Sequence, residues 1–196
     1  TRFARVRHQL ETYEPAAGWR SWIYEFLLFG FKQGWACLFG GLMLALLLAT
    51  HFFYPEKAAL ARYDFLTIAA FAIQVAMLWL RLESWEEAKV ILIFHIVGTV
   101  MELFKTANGS WIYPEDSILR IGGVPLFSGF MYAAVGSYIA RVWRIFDFRF
   151  SNYPTRSYTF GLAIAVYINF FAHHWFPDIR LALFAIMGLL FWRTRI

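Results

Sequence analysis

The sequence predicts an all-α integral membrane protein, a polytopic bundle of about six transmembrane helices preceded by an N-terminal interfacial helix. The 196 residues are 60% hydrophobic and 21% aromatic, and the mean hydropathy is +0.52. A soluble domain of this length would need more polar surface than 18 basic and 13 acidic residues provide. In addition, apolar stretches of about bilayer length recur along the chain, with turn-forming residues between them.

The first element is a basic segment over residues 1–32. It carries scattered arginines, including Arg2, Arg7 and Arg20, and becomes strongly aromatic from Trp22 onwards. This pattern predicts an amphipathic helix that lies at the membrane interface. The alternative is a disordered basic tail followed by an unusually long first helix.

Six apolar segments follow between residues 33 and 196, and we expect them to form one transmembrane domain with the N-terminal segment. A helix needs about 20 residues to cross a bilayer, and the last segment is shorter than this. A chain that begins without Met and ends directly after an apolar segment is typical of an incomplete sequence, so the sequence leaves open whether the native protein continues past Ile196. The predicted spans are 33–54, 65–82, 87–105, 125–142, 157–175 and 179–193.

The distribution of basic residues predicts the orientation of the spans. With a cytoplasmic N-terminus, 13 of the 18 Lys and Arg residues fall on the cytoplasmic side and 5 on the outer side. Both termini are then cytoplasmic, and the loop over residues 106–124 lies on the outer face. Because the basic residues flank apolar segments, we expect membrane lipids, and not nucleic acid, to be their partners.

A polar stripe lies on the third predicted span. His95, Thr99, Glu102 and Thr106 recur at steps of four, three and four, which places them on one face of a helix. A charged side chain inside a span is energetically costly, so it is usually paired with another polar group or has a function. The stripe therefore indicates a functional site, which the aromatic loop 110–115 can cover. The alternative is hydrogen bonding between helices, which we favour for Thr99.

We therefore predict a site in the outer half of the membrane, built on Glu102. Tyr132 lies on the fourth span, four residues after Ser128, and could reach this carboxylate or a ligand. The predicted catalytic residues are Glu102, His95, Tyr113 and Tyr132. The predicted ligand-binding residues are Thr99, Lys105, Ser110, Trp111 and Ser128.

No cofactor is predicted. The single cysteine, Cys37, excludes a cysteine-based metal cluster. A metal site of lower probability would combine imidazole and carboxylate ligands, although their spacing offers no pair fixed on one helix. These alternative ligands are His95, His173, His174 and Asp178.

Two stretches of the sequence resemble a known family. FHIVGTVMELFKTANGSWIYPEDSILRIGGVPLFSGFMYAAVGSYIARVWRIFDFRF and EFLLFGFKQGWACLFGG resemble an uncharacterised bacterial family of multi-spanning membrane proteins, domain-of-unknown-function family 817. The resemblance covers most of the chain, and it implies a protein of the bacterial inner membrane without an assigned activity.

A weaker pattern is similar to membrane-embedded carotenoid hydratases and small lycopene cyclases. It consists of an intramembrane carboxylate, an aromatic loop and the turn Gly123-Val124-Pro125. This similarity implies that Glu102 acts as a general acid that protonates an alkene in a dry pocket.

The leading functional hypothesis is an enzyme or binding protein for a lipid or isoprenoid ligand. Three alternatives remain open at this point: a proton- or ion-coupled transporter or channel, a metal-dependent membrane hydrolase, and a structural partner in a membrane complex. The sequence does not determine the oligomeric state.

Overall fold

The computed structural model describes residues 18–55, 57–146 and 148–195, and this part of the chain is mainly α-helical. It divides into two compact units, which lie within residues 1–146 and 147–196 and are described separately. Residues 1–17 of the predicted interfacial segment lie outside the described residues. One transmembrane domain over residues 1–196 stays a prediction.

The described helices follow the predicted apolar segments closely, and this confirms the all-α class. Each predicted segment after the first begins and ends within four residues of a helix. The first unit contains α1 (Trp19–Ala36), α2 (Leu38–Phe53), α3 (Arg62–Trp79), α4 (Trp85–Ala107), strands β1 (Arg120–Ile121) and β2 (Val124–Pro125), and α5 (Phe127–Phe146). The second unit contains α6 (Arg156–Ala172) and α7 (Arg180–Phe191).

A break at Cys37 separates α1 from α2, and the two helices are bent by 65°. The predicted boundary between interfacial segment and first span, at residues 32 and 33, lies one helical turn before this break. Trp22 and Phe26 on α1 are exposed and stack with their ring centroids 5.9 Å apart. The described part of the N-terminal segment is therefore a separate helix, whose axis differs in direction from that of α2.

Only some of the predicted spans pass a test of length and apolar composition. Among the described residues, α4 alone is long and apolar enough to cross a membrane as a single helix. The bent pair α1 and α2 passes when the two helices are taken together, whereas α7 is apolar but only 12 residues long. The structure thus supports membrane association weakly and does not establish six spans.

Helix α5 occupies the centre of the first unit. It packs most extensively against α4 and also contacts α1, α2 and α3. The buried side chains at these contacts form the apolar core: Phe39, Met43, Leu66, Ala70, Met77, Ile91, Phe127, Phe130 and Ala133.

Helices α4 and α5 approach closely because glycines lie at their contact. A Cβ atom at Gly98 would fall 2.5 Å from Cβ of Tyr132, and one at Gly136 would fall 2.5 Å from the ring of Phe94. Small residues let helix backbones come together in this way. The approach brings residues on α4 within hydrogen-bond distance of side chains on α5.

The connection from α4 to α5 ends in a tight hairpin. Gly122 and Gly123 form its two-residue turn with φ of +55° and +83°, and β1 pairs with β2 in antiparallel register, Ile121 opposite Val124. Turns with two positive φ angles favour glycine and match the twist of the strands. The Gly-Gly pair therefore returns the chain directly into α5.

In the second unit, a polar cluster closes the turn between α6 and α7. Asp178 accepts hydrogen bonds from Asn169 Nδ2 at 3.0 Å and from the backbone N–H of Arg180 at 2.9 Å. The Asn169 side-chain oxygen accepts from the N–H of Ile179 at 3.0 Å. These contacts, with the Arg180 ion pair, hold the pKa of Asp178 down at about 2.

Candidate functional site

The carboxylate of Glu102 is buried in the first unit and is surrounded by four donors. Its Oε1 accepts from Lys105 Nζ at 2.9 Å and from the Tyr132 hydroxyl at 2.5 Å. Its Oε2 accepts from Trp111 Nε1 at 3.0 Å and from the Tyr113 hydroxyl at 2.7 Å. A carboxylate has about four acceptor positions, and all of those of Glu102 are thus occupied by protein donors. The residue is only 2% exposed, so these donors replace the water that would otherwise solvate it.

This arrangement is suited to the ionised form of Glu102. The Lys105 ammonium and the Trp111 indole N–H can only donate, and each phenol also donates as the structure stands. A proton on the carboxyl would have to displace one of the four donors or force a phenol to rotate. The geometry therefore favours a carboxylate that accepts hydrogen bonds, and the general-acid role implied by the weaker similarity stays a prediction.

The four donors come from three elements of the fold. Lys105 lies one helical turn from Glu102 on α4, Tyr132 comes from α5, and Trp111 and Tyr113 come from the connecting loop. The Lys105 ammonium also lies 4.6 Å from the centre of the Trp111 ring, in a cation–π contact. As predicted, the aromatic loop folds over the polar face of α4.

A second carboxylate fixes the end of this loop. Asp64, in the first turn of α3, is 2% exposed and accepts from the backbone N–H groups of Ile118 at 2.9 Å and Leu119 at 2.7 Å. An ion pair adds a second attachment, because Arg62 Nη2 lies 2.5 Å from Glu115 Oε1. The loop that supplies Trp111 and Tyr113 is therefore anchored to α3 as well as to α4 and α5.

The Tyr113 hydroxyl is held in its protonated form. Burial and the adjacent Glu102 carboxylate both raise the pKa of Tyr113 well above its usual range. Tyr113 is consequently a hydrogen-bond donor at neutral pH, as its contact with Glu102 requires.

An apolar cavity of about 530 Å³ adjoins the Glu102 cluster. Helices α2, α3 and α5 contribute its apolar wall, which includes Leu47, Leu66, Met131 and Val135. Its polar and charged lining groups are His51, Arg62, Tyr63, Glu102, Lys105, Tyr113, Ser128 and Tyr132. A cavity of this size with a largely apolar wall and a few convergent polar groups is typical of a small-molecule site.

The structure brings together six of the nine residues that we predicted for the site. Besides Glu102, five of them line the cavity: Lys105, Trp111, Tyr113, Ser128 and Tyr132. The remaining three, His95, Thr99 and Ser110, do not line it.

The three residues that do not line the cavity have other surroundings. The His95 ring packs against Phe130 at 4.5 Å, and Thr99 donates to the backbone carbonyl of His95 at 2.8 Å. Ser110 is exposed at the end of α4, where its N–H bonds to the carbonyl of Lys105. Thr99 therefore bonds within α4, to the turn that precedes it, and not between helices as we had favoured.

Sequence analysis missed several residues that build the site. Arg62, Asp64 and Glu115 anchor the loop, and His51 lines the cavity. The proximity of Arg62 and Asp64 to the loop could have been predicted in part, because the predicted topology places the start of the second span and the loop 106–124 on the same outer face of the membrane. Which side chains meet there depends on packing between residues more than 50 positions apart.

A separate ionic cluster lies at the other end of α4 and α5. Arg141 is completely buried and lies 3.5 Å from Glu83 and 3.7 Å from Glu87, and it donates to the carbonyl of Trp35 at 3.1 Å. Arg144 pairs with Glu87 at 3.1 Å. The cluster therefore ties the break between α1 and α2 to the turn between α3 and α4.

Burial affects the Glu83 carboxyl of this cluster. Desolvation raises the pKa of Glu83, and this effect exceeds the opposing attraction of Arg141 and the hydrogen bond from Gln74. Glu87 is fixed by a capping box in which its side chain bonds back to Ser84. The start of α4 is thus determined by local and distant contacts together.

The metal alternative drew on His95 in the first unit and on His173, His174 and Asp178 in the second unit. No group of three or more His, Cys, Asp or Glu side chains is placed to hold a metal ion among residues 18–55, 57–146 and 148–195. In the second unit, His173 Nδ1 lies 2.7 Å from the carbonyl of Phe170, and Asp178 is engaged by Asn169 and Arg180. The observed geometry gives the metal-dependent alternative no support.

Comparison with known proteins identifies the family. The profile of a protein family of unknown function, DUF817, matches residues 25–196. The chain belongs to the DUF817 family. Its resemblance to that family, predicted from the sequence, is thereby confirmed.

The DUF817 chain is also similar to the uncharacterized protein YoaT of Bacillus subtilis (strain 168). The two are 41% identical over 172 residues, which cover 88% of this chain and 64% of YoaT. The DUF817 chain thus spans somewhat less than two thirds of the length of that relative. No solved structure matches it, and the comparisons do not show the similarity to carotenoid hydratases.

Proposed function

We propose that this DUF817 chain is a polytopic protein of the bacterial cytoplasmic membrane that binds a lipid or isoprenoid ligand. The ligand occupies the 530 Å³ cavity, and the ionised Glu102 carboxylate organises the polar wall of that cavity. The observation that carries the proposal is the direct contact between a largely apolar cavity and a buried carboxylate with four donors.

The surface supports placement in a membrane. Large apolar side chains are exposed on every helix, and Phe53, Trp79 and Leu181 are each more than 80% exposed. Soluble monomers do not expose apolar surface on this scale, whereas lipid tails cover it without cost. The charge count of the sequence, 13 basic residues against 5, favours cytoplasmic termini and an outer position for the cavity.

The cavity supports a ligand with a long apolar part. Leu47, Leu66, Met131 and Val135 offer it an aliphatic wall, while the polar groups gather near Glu102 and Lys105. An amphipathic molecule matches both the aliphatic wall and the polar groups. Its apolar body is removed from water, and its polar end forms hydrogen bonds with the cavity.

Glu102 acts in this proposal by orienting other groups. Its two oxygens direct the hydroxyls of Tyr113 and Tyr132 and the Lys105 ammonium into fixed positions along the cavity wall. The phenol oxygens remain available as acceptors, and Lys105 retains further N–H groups for a ligand.

Native mass spectrometry of the purified protein tests the proposal. We expect the wild-type protein, extracted from bacterial membranes in a mild non-ionic detergent, to retain a lipid or isoprenoid species. Met131→Trp should reduce this retention because the indole fills the cavity. Ile139→Trp is the matched control, since Ile139 lies on the same helix outside the cavity lining and is also exposed.

Two results would contradict the proposal. One is a wild-type protein without any retained lipid-class species in mass spectra and in organic extracts. The other is equal retention by Met131→Trp and Ile139→Trp. Release of the chain from membranes by alkaline carbonate would contradict the membrane placement separately.

A further inference from the structure

We infer that the polar end of the ligand is an anion, of the phosphate type, and that Lys105 binds it. This inference rests on the proposed function and adds the charge of the ligand. It follows from a comparison of two sets of charged groups in the cavity wall: those whose hydrogen-bonding positions are filled by protein groups, and those that can still bond to a ligand.

Among the described residues that line the cavity, one acidic side chain is present, and its acceptor positions are already occupied. Glu102 is that residue, and both of its oxygens already accept two hydrogen bonds each. A ligand ammonium would have to displace Lys105 or break a bond from Trp111, Tyr113 or Tyr132. The saturated carboxylate therefore selects against a cationic head group.

The groups that can still act on a ligand are donors. Lys105 uses one contact for Glu102, whereas an ammonium has three N–H donors, and its side chain is 27% exposed. Arg62 and His51 line the same cavity. Arg62 carries a second positive charge, and its partner Glu115 is not part of the lining. Charge-assisted hydrogen bonds from such donors favour phosphate or carboxylate oxygens.

The position of Lys105 fits this role. Its ammonium lies between the Glu102 carboxylate and the face of the Trp111 ring, which fixes the amine at the border of the apolar cavity. An anion bound there leaves the attached chain in contact with Leu66, Met131 and Val135. The apolar wall accordingly indicates an alkyl or isoprenyl phosphate and not free phosphate.

Four probes separate the contributions of charge and chain: decyl phosphate, decyltrimethylammonium, decanol and inorganic phosphate. Apparent dissociation constants are measured by titration in native mass spectrometry, on protein in a non-ionic detergent. We expect decyl phosphate to bind at least tenfold more tightly than each of the other three probes.

Substitutions then assign the charge to one residue. Lys105→Gln should weaken decyl phosphate binding about tenfold and decanol binding much less, whereas Lys105→Arg should preserve the preference for phosphate. Lys89→Gln is the matched control, because Lys89 forms the same type of i, i+3 pair with Glu86 in an exposed position on α4.

The outcomes that overturn the inference differ from those that overturn the proposed function. Equal binding of decyl phosphate, decanol and decyltrimethylammonium overturns the anionic head group but leaves an amphipathic ligand in place. Binding of inorganic phosphate as tight as decyl phosphate overturns the role of the apolar chain. Absence of binding by every probe, together with absence of any retained lipid, overturns both.

Discussion

The hydroxyl of Tyr132 lies 2.5 Å from Oε1 of Glu102, although the two residues are 30 positions apart on different helices. The contact depends on the close approach of α4 and α5 at Gly98, where the Tyr132 side chain occupies the space that a Cβ atom would need. The site and the helix packing are therefore one structural unit.

Gly98→Ala should move Tyr132 away from Glu102 and destabilise the protein. The added methyl would lie 2.5 Å from Tyr132 Cβ, and overpacking of this kind costs about 1–3 kcal/mol. Thermal unfolding in detergent measures the effect. Gly41→Ala is the control, because nothing lies within 4 Å of a Cβ atom at this helical position and its unfolding temperature should not fall. Equal unfolding temperatures for the two variants would show that the α4–α5 contact is looser than described.

Asp64→Asn should loosen the loop that supplies Trp111 and Tyr113. The amide retains one acceptor oxygen for the two backbone N–H groups of Ile118 and Leu119, and a lost charged hydrogen bond is worth about 1.5–3 kcal/mol. Hydrogen exchange of peptides that cover residues 110–121 should become at least about tenfold faster.

Asp116→Asn provides the control for that experiment. Asp116 belongs to the same loop, but its side chain is fully exposed and only pairs with Arg120 at 3.7 Å. We expect its peptides to exchange as in the wild type. Unchanged exchange in Asp64→Asn would mean that the ion pair of Arg62 and Glu115 is sufficient to hold the loop.

Arg141→Met should destabilise the first unit strongly. The substitution leaves the Glu83 carboxylate buried without its cation and removes one of the two cations beside Glu87, and breaking a buried pair in this way costs about 3–5 kcal/mol. Arg144→Met is the matched comparison on the same helix. Arg144 is 37% exposed, so its loss should cost no more than about 1 kcal/mol.

A second substitution separates charge from packing at Arg141. Adding Glu83→Gln to Arg141→Met removes the carboxylate that has lost its cation and should restore part of the lost stability. Denaturant unfolding of the single and double variants forms a cycle that measures this coupling. If the two substitutions were simply additive, the ionic cluster would not be a coupled unit.

The sequence was sufficient to place the helices and the centre of the site. Apolar segment lengths located α2 to α7 within a few residues, and the spacing of Glu102 within α4 indicated a polar face. The proximity of Lys105 and of the loop residues Trp111 and Tyr113 followed from local connectivity, since all three lie within 11 positions of Glu102.

The contacts that escaped sequence analysis join distant parts of the chain. Asp64 meets Ile118 across 54 positions, and Arg141 meets Glu83 across 58. Helical periodicity assigns a residue to a face but does not determine which neighbour covers that face. The same limit explains His95, which shares a face with Glu102 by periodicity and yet packs against Phe130 outside the cavity.

The sources of the four donors also bear on biosynthesis in the proposed membrane setting. When α4 leaves the ribosome, Lys105 emerges three positions after Glu102, whereas Tyr132 follows only with the next helix. An isolated α4 would expose a partly compensated carboxylate to lipid, which is unfavourable. In that setting, stable placement of α4 depends on its packing against α5, which supplies the Tyr132 donor.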